Sequence, residues 1–285
     1  MLCIDGLSAL TGRFEALFCD VWGVIHDGER PFVGPCAALA RWRAEKGPVI
    51  LISNSPRPAD AVTDQLASLG VPRAAWSAIV TSGDATRGLL AERAPGPCWR
   101  IGPERDETLY CGISLEFTDP ERARFFSCTG LVDDEAETPE DYREALARAA
   151  SRGLEMICAN PDLAVQRGPR LVYCAGALAQ LYEAMGGKVV MAGKPFAPIY
   201  ELAFEQAGRL LGRAIERQRV LAVGDGLATD MAGARAQGLA SLFIARGVHG
   251  EAALTKSGAV DPVKAEALLE AGGVDADFVL ADLAW

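Results

Sequence analysis

The 285-residue sequence predicts an α/β fold: a Rossmann-like parallel sheet core with helices on both faces and an inserted α/β cap domain. Three observations carry this. Short, continuous apolar runs alternate with helix-like segments, the rhythm of strands joined by crossover helices. Several of those runs end in Asp, Ser, Lys or Gly-Asp-Gly, placing polar chemistry at the carboxyl ends of strands buried on both faces. The texture breaks at APGPC, 94 to 98, and then restarts, as expected where a second domain is inserted.

Taken in order, EALFCDV at 15 to 21 is the first buried strand, AALARWRAEKG at 37 to 47 a helix, and PVILISN at 48 to 54 the next strand. A helix over about 58 to 69, the strand AIVTS at 78 to 82 and a helix over about 84 to 93 follow. WRIG at 99 to 102 opens a second set of elements that reaches MGGK at 185 to 188. Within it Thr138 reads as a helix cap, with Pro139 first in the helix and Glu140 and Asp141 favourable to its dipole. From 189 the rhythm resumes with VVMAG, a helix over about 197 to 211, RVLAVGD at 219 to 225, a helix over about 228 to 237, and SLFIA at 241 to 245. DFVLADL at 277 to 283 reads as an edge strand. The expected domains are therefore a core of residues 1–84 and 189–285 and a cap of residues 85–188.

A net charge of -10 argues against a surface that tracks a nucleic acid polymer or an anionic membrane, both of which need a basic face. Half the residues are apolar and 23% charged, the balance of a soluble globular chain. The eight cysteines form no C-x-x-C pair and read as reduced core thiols. With Asp5 in its first residues and no run of about 18 apolar residues, the chain is expected to be cytoplasmic.

Four segments concentrate the chemistry. FCDVWGVIHDG delivers Asp20 at a strand end, a carboxylate able to attack phosphorus or hold a metal. LISNS offers the Ser53 hydroxyl and following amides, Asn54 among them, to an anion near a helix start. AGKP offers Lys194 as a point charge. VGDGLATD sets Asp225 at a strand end and Asp230 in the first helical turn, hard oxygen ligands that suit magnesium. Each segment alone is weak, since a strand-end Asp or a Ser-Asn pair is most often a cap or turn. Their order and common position make the set specific.

The order DxxGV, strand-end Ser, GKP and GDGLATD resembles the haloacid dehalogenase superfamily. SNS at 53 to 55, TSGDAT at 81 to 86 and ANPDL at 159 to 163 around a long insertion are similar to its class-two, subtype-A branch of sugar and nucleotide phosphatases. The resemblance implies a Mg2+-dependent hydrolase of a small phosphorylated metabolite, with Asp20 as the nucleophile that forms an aspartyl-phosphate, Ser53 as phosphate-binding hydroxyl and Lys194 as the motif cation. It implies metal ligation by Asp20, Asp225, Asp230 and the backbone carbonyl of Trp22. Asn160 and Asp162 match a stretch that faces substrate. Oligomeric state, including a homo-oligomer, is left open.

One position departs from the pattern. The family's phosphatases carry a second Asp two residues after the nucleophile, as acid to the leaving oxygen and base to water; here Trp22 stands there. An indole cannot do this work, typically worth ~100- to 10,000-fold. His26 is the candidate surrogate acid or base, against a loop histidine with a structural hydrogen bond. His249 is the weaker candidate. The departure keeps two alternatives in view, a phospholigand-binding or regulatory protein with weakened turnover and a hydrolase of carbon-halogen or carbon-phosphorus bonds.

Overall fold

The computed structural model describes residues 1–167 and 170–285. Its strands, in chain order, are β1 (Leu2–Cys3), β2 (Ala16–Cys19), β3 (Val49–Ser53), β4 (Ala78–Thr81), β5 (Cys98–Ile101), β6 (Phe125–Cys128), β7 (Glu155–Cys158), β8 (Ala164–Arg167), β9 (Arg170–Tyr173), β10 (Lys188–Met191), β11 (Val220–Gly224), β12 (Ala240–Ile244) and β13 (Phe278–Leu280). The α-helices are α1 (Val33–Glu45), α2 (Ala59–Ser68), α3 (Ser82–Ala91), α4 (Arg143–Ser151), α5 (Ala175–Ala184), α6 (Ala197–Leu211), α7 (Ala232–Gln237) and α8 (Pro262–Ala271). The chain divides into a larger unit, Met1–Ser53, Thr63–Val80 and Lys194–Trp285, and a smaller one, Asn54–Val62 and Thr81–Gly193.

The larger unit is built on a seven-stranded sheet of order β1-β13-β12-β11-β2-β3-β4, with parallel pairing from β1 through to β3. Every residue of β2 and of β11 is buried, which explains their unbroken apolar runs. From β2 the chain steps outward through β3 and β4; from β11 it steps the other way through β12 and β13. The strand order therefore reverses between β2 and β11, and the carboxyl ends of these two strands flank the crevice where open α/β sheets bind ligands. Trp42, Tyr200 and Phe18 are fully buried in the core, and Trp76 is buried as well.

The smaller unit carries a four-stranded parallel sheet, β10-β7-β6-β5, and the antiparallel pair β8-β9. Its core gathers around Phe126, whose ring lies 5.0 Å edge-on from that of Tyr182, and Trp99 packs against the same cluster. Thr138 forms the expected cap as a reciprocal box with Asp141, starting a 3-10 turn at Pro139 that runs into α4. The TSGDAT segment has a local role of the same kind, a capping box between Thr81 and Asp84 that starts α3.

Two expectations are corrected. The strand at Lys188–Met191 does not rejoin the large sheet at 189; it pairs in register with β7, Val189 opposite Met156, so the smaller unit extends to Gly193. An apolar run does not declare which of two sheets it enters. Nor is β13 an edge strand: β1 pairs with it on the outside, Leu2 opposite Phe278, through two residues too short to read as a strand in sequence. All eight cysteines are free thiols.

Candidate active site

Sheet register fixes the positions from which the site is built. β2 continues past Cys19 into Asp20, whose amide donates to the Val223 carbonyl at 2.8 Å, so the ladder with β11 holds the aspartate at the switch point. Cys19 lies opposite Leu51, which sets Ser53 one residue beyond the level of Asp20 on the neighbouring strand. On the other side Cys19 lies opposite Val223, so Asp225 leaves β11 at the same edge.

Asp230 reaches that edge by another route. Residues Leu227–Met231 form a turn of π-helix, in which the amides of Asp230 and Met231 both donate to the Gly226 carbonyl, at 2.9 and 3.0 Å. The turn brings the Asp230 carboxylate back over its own start, where Oδ2 accepts from the Gly226 amide at 3.0 Å. Lys194 enters just ahead of α6. Its Nζ donates to Asp20 Oδ1 at 2.5 Å and to Asp230 Oδ1 at 2.8 Å. Ammonium and both carboxylates are almost wholly withdrawn from water.

Glycines make room for these carboxylates. Gly23 has φ +79° and comes so close to Asp225 that a Cβ there would lie 2.1 Å from Oδ2. A Cβ at Gly247 would lie 2.0 Å from the same oxygen. The next residue, Val248, donates its amide to Asp225 Oδ2 at 2.5 Å. Sequence reasoning missed this loop. The signal was its place: ARGVHG leaves β12 at the same strand edge as the other motifs.

The electrostatics follow from the crowding. Burial first, then the charges of Asp20 and Asp230, pushes the Asp225 carboxyl well above the usual carboxylate range. Burial and the Asp20 charge push Asp230 up to about 6. Burial works against the Lys194 charge, but Asp20 and Asp230 outweigh it and hold this ammonium well above the usual lysine value. One ammonium does not neutralise three carboxylates. Oxygen atoms of Asp20, Asp225 and Asp230 converge to within 4.8 Å of one another. An under-compensated, all-oxygen cluster of this kind fits a hard divalent cation, which would supply the missing positive charge.

His26 is held within its own loop. It is buried, its Nδ1 accepts the Gly28 amide at 2.9 Å, and its ring stands edge-on to Trp22 with centroids 5.1 Å apart. Burial lowers its pKa to about 4, so the imidazole is neutral and spent on closing the loop. Asp27 is likewise engaged, accepting from the Glu29 and Arg30 amides and from the Arg30 side chain. His249 is half-buried, its pKa also lowered by burial.

The remaining candidates lie in the smaller unit. Asn54 Nδ2 donates to Asp162 Oδ1 at 2.9 Å, and Asn160 Oδ1 accepts the Asp162 amide at 3.0 Å, closing an Asx turn. Asn54 and Asn160 are buried. A Cβ at Gly193 would lie 2.6 Å from Asn54 Oδ1 and 2.7 Å from Ser82 Oγ, so backbone and polar side chains are closely packed there. The structure thus brings Asn54, Asn160 and Asp162 together, and separately groups Asp20, Lys194, Asp225 and Asp230 with Ser53 on the adjoining strand.

Carboxylates and a lysine at the switch point of a parallel sheet define an α/β enzyme of acid-and-cation type, and comparison with known proteins narrows the class. Residues 17–115 match the family model of haloacid dehalogenase-like hydrolases, and residues 191–271 match that of HAD-hydrolase-like proteins. A solved haloacid dehalogenase-like hydrolase from Brucella suis is 45% identical, superposes with a TM-score of 0.88, and is matched over 99% of this chain and 100% of its own. The D-glycerol 3-phosphate phosphatase of Mycobacterium tuberculosis is 30% identical over 251 residues, 85% of this chain. The chain spans 66% of that relative's length. A solved glycerol phosphate phosphatase of M. tuberculosis in complex with magnesium is 25% identical with a TM-score of 0.66, over 96% of this chain and 77% of its own. This chain belongs to the haloacid dehalogenase-like hydrolase family and is a hydrolase. Among the described residues, no helix is long and apolar enough to cross a membrane.

Proposed function

We propose that this hydrolase is a magnesium-dependent phosphatase that acts on a small phosphorylated metabolite through a phosphorylated Asp20. The observation that carries the reading is Lys194, buried between Asp20 and Asp230, with Asp225 converging on the same point. Phosphatases among the relatives, one of them holding magnesium, support it.

Asp20, Asp225 and Asp230, with the Trp22 backbone carbonyl, would hold the cation. When bound, it supplies positive charge for the oxygens of a phosphoryl group. Lys194 fixes Asp20 Oδ1 by its hydrogen bond, which leaves Oδ2 to attack phosphorus. The Ser53 hydroxyl binds a phosphate oxygen from the neighbouring strand end. The loop at Val248 and the amide of Gly226 hold Asp225 and Asp230 in place, so little reorganisation accompanies the reaction. The smaller unit serves as the cap that selects the substrate, with Asn54, Asn160 and Asp162 as its polar contacts.

The test is phosphate release from acetyl phosphate and p-nitrophenyl phosphate with and without magnesium. Release should require magnesium and vanish in Asp20→Asn, with circular dichroism showing the variant folded. Release that survives Asp20→Asn would refute the assignment of the nucleophile.

A further inference from the structure

The smaller unit opens two helical segments with the same reciprocal box, Thr81 with Asp84 and Thr138 with Asp141, and the contrast between them separates capping from a further task. Asp141 is exposed; its carboxylate accepts from the Thr138 amide at 2.7 Å and hydroxyl at 2.9 Å, and these bonds hold its pKa below the ordinary value. A cap needs no more than this. Asp84 Oδ2 makes the same two bonds to Thr81, at 3.0 and 2.9 Å, but Asp84 is half-buried and burial raises its pKa. Its second oxygen, Oδ1, accepts the amide of Ala59, the first residue of α2, at 3.2 Å. The seat is less favourable to the charge than a cap requires, and what it adds is a tie to the 54–59 loop.

That loop is docked at a second point. The Gly83 amide donates to the Ser55 carbonyl at 3.0 Å, and a Cβ on Gly83 would lie 2.3 Å from the Pro56 carbonyl oxygen, so glycine lets the loop lie against α3. The loop that carries Asp162 is held in the same way at α5: the Gly176 amide donates to the Asp162 carbonyl at 3.1 Å, and a Cβ there would lie 2.2 Å from the Pro161 carbonyl oxygen. In both helices the donor is the second residue, whose amide has no partner within the helix itself. Between the two docked loops Asn54 Nδ2 meets Asp162 Oδ1 at 2.9 Å. Ser82 Oγ, wholly buried and without a hydrogen-bond partner among the described residues, faces the same place: it and Asn54 Oδ1 lie 2.7 and 2.6 Å from where a Cβ on Gly193 would stand. A buried hydroxyl left unpaired costs free energy that alanine would not, which sets this group of side chains apart from ordinary packing.

We infer that Asp84 is a positioning residue for substrate binding, its carboxylate holding the 54–59 loop against α3 so that Asn54 stays paired with Asp162 and set for the substrate. The inference rests on the proposed phosphatase reading, in which Asn54, Asn160 and Asp162 are polar contacts to the substrate, and adds the residue that places one of them. Asp84 acts through Asn54. Its loss therefore weakens the binding of substrate and transition state alike, raising KM and leaving kcat in place.

The experiment is a double-mutant cycle on the full chain with magnesium, Asp84→Ala against Asn54→Ala. It is read by urea unfolding and by steady-state kinetics on whichever of p-nitrophenyl phosphate and glycerol 3-phosphate turns over faster. Asp84→Ala should raise KM about 10-fold, the worth of about one hydrogen bond, with kcat nearly unchanged, and should raise it no further when Asn54 is already alanine. Thr81→Val removes the cap hydroxyl but leaves Asp84 its bonds to the Thr81 and Ala59 amides; it should lower the unfolding midpoint and keep the native KM. Gly83→Ala crowds Pro56 without touching the carboxylate, should raise KM as Asp84→Ala does, and takes its place in the cycle should that variant fail to fold. An unchanged KM in Asp84→Ala, an increase as large in the Asn54→Ala background, or an equal increase in Thr81→Val would reduce Asp84 to a helix cap and overturn the inference while the phosphatase reading stands. No magnesium-dependent turnover of either ester by the native protein would overturn the proposed function and this inference with it.

Discussion

Divalent cation should stabilise this protein much more near neutrality than in mild acid, because the carboxylate cluster repels itself only when ionised. Asp230 titrates at about 6 in the folded chain against an ordinary 3.8, raised by burial and by Asp20. Between those values the folded chain keeps a proton that the unfolded chain has lost. Its contribution to stability is therefore complete below pH 3.8 and is lost as pH rises through about 6. At about 1.36 kcal/mol per pKa unit, that displacement amounts to about 3 kcal/mol of folding free energy surrendered by neutral pH. Asp225 is displaced in the same direction, by burial and by Asp20 and Asp230. A bound cation takes the place of the protons and restores what was lost. Thermal unfolding with and without saturating magnesium, at about pH 4 and about pH 7.5, measures the difference. With about 2 °C per kcal/mol for a chain of this size, the gain should be about 6 °C at the higher pH and a small fraction of that at the lower. Equal gains at both, or an undiminished gain in Asp230→Asn, would refute the electrostatic reasoning.

Other perturbations test other parts of the structure. Lys194→Met leaves the buried Asp20 and Asp230 without their ammonium and should cost about 3–5 kcal/mol in urea unfolding as well as abolishing phosphate release. Gly247→Ala places a methyl against Asp225 Oδ2; by calorimetry magnesium affinity should fall about 10- to 100-fold with the fold retained. His26→Leu removes the acceptor of the Gly28 amide and should cost about 1–3 kcal/mol, while His26→Asn, able to accept it, should keep the pH–rate profile unchanged in shape. A shift of that profile in His26→Asn would return the histidine to the chemistry. Phe126→Ala empties the centre of the smaller unit's core and should cost about 3–5 kcal/mol, seen as earlier protease cleavage within 81–193.

Much of the fold and of the site was legible in the amino-acid sequence. A strand buried on both faces must be a continuous apolar run, so β2, β3, β11 and β12 announced themselves, and polar residues directly after such runs had to gather at one sheet edge. That local rule was enough to nominate Asp20, Ser53, Lys194, Asp225 and Asp230, and the family resemblance of their order implied a role for each. Thr138, Pro139 and Asp141 likewise marked a helix start, because a cap depends only on neighbours in sequence. What depends on distant parts of the chain was not legible. Whether Lys188–Met191 joined one sheet or the other was settled by pairing with β7, and whether β13 lay at an edge was settled by two residues from the other end of the chain. The same holds for the site itself. That Lys194 binds both Asp20 and Asp230, that Val248 holds Asp225, and that His26 accepts the Gly28 amide are facts of three-dimensional contact. Sequence chose the kinds of groups and the edge on which they meet. Tertiary structure decided their partners, and through burial and mutual charge their protonation, because the interactions that set both act through space between residues as far apart in the chain as Asp20 and Asp230.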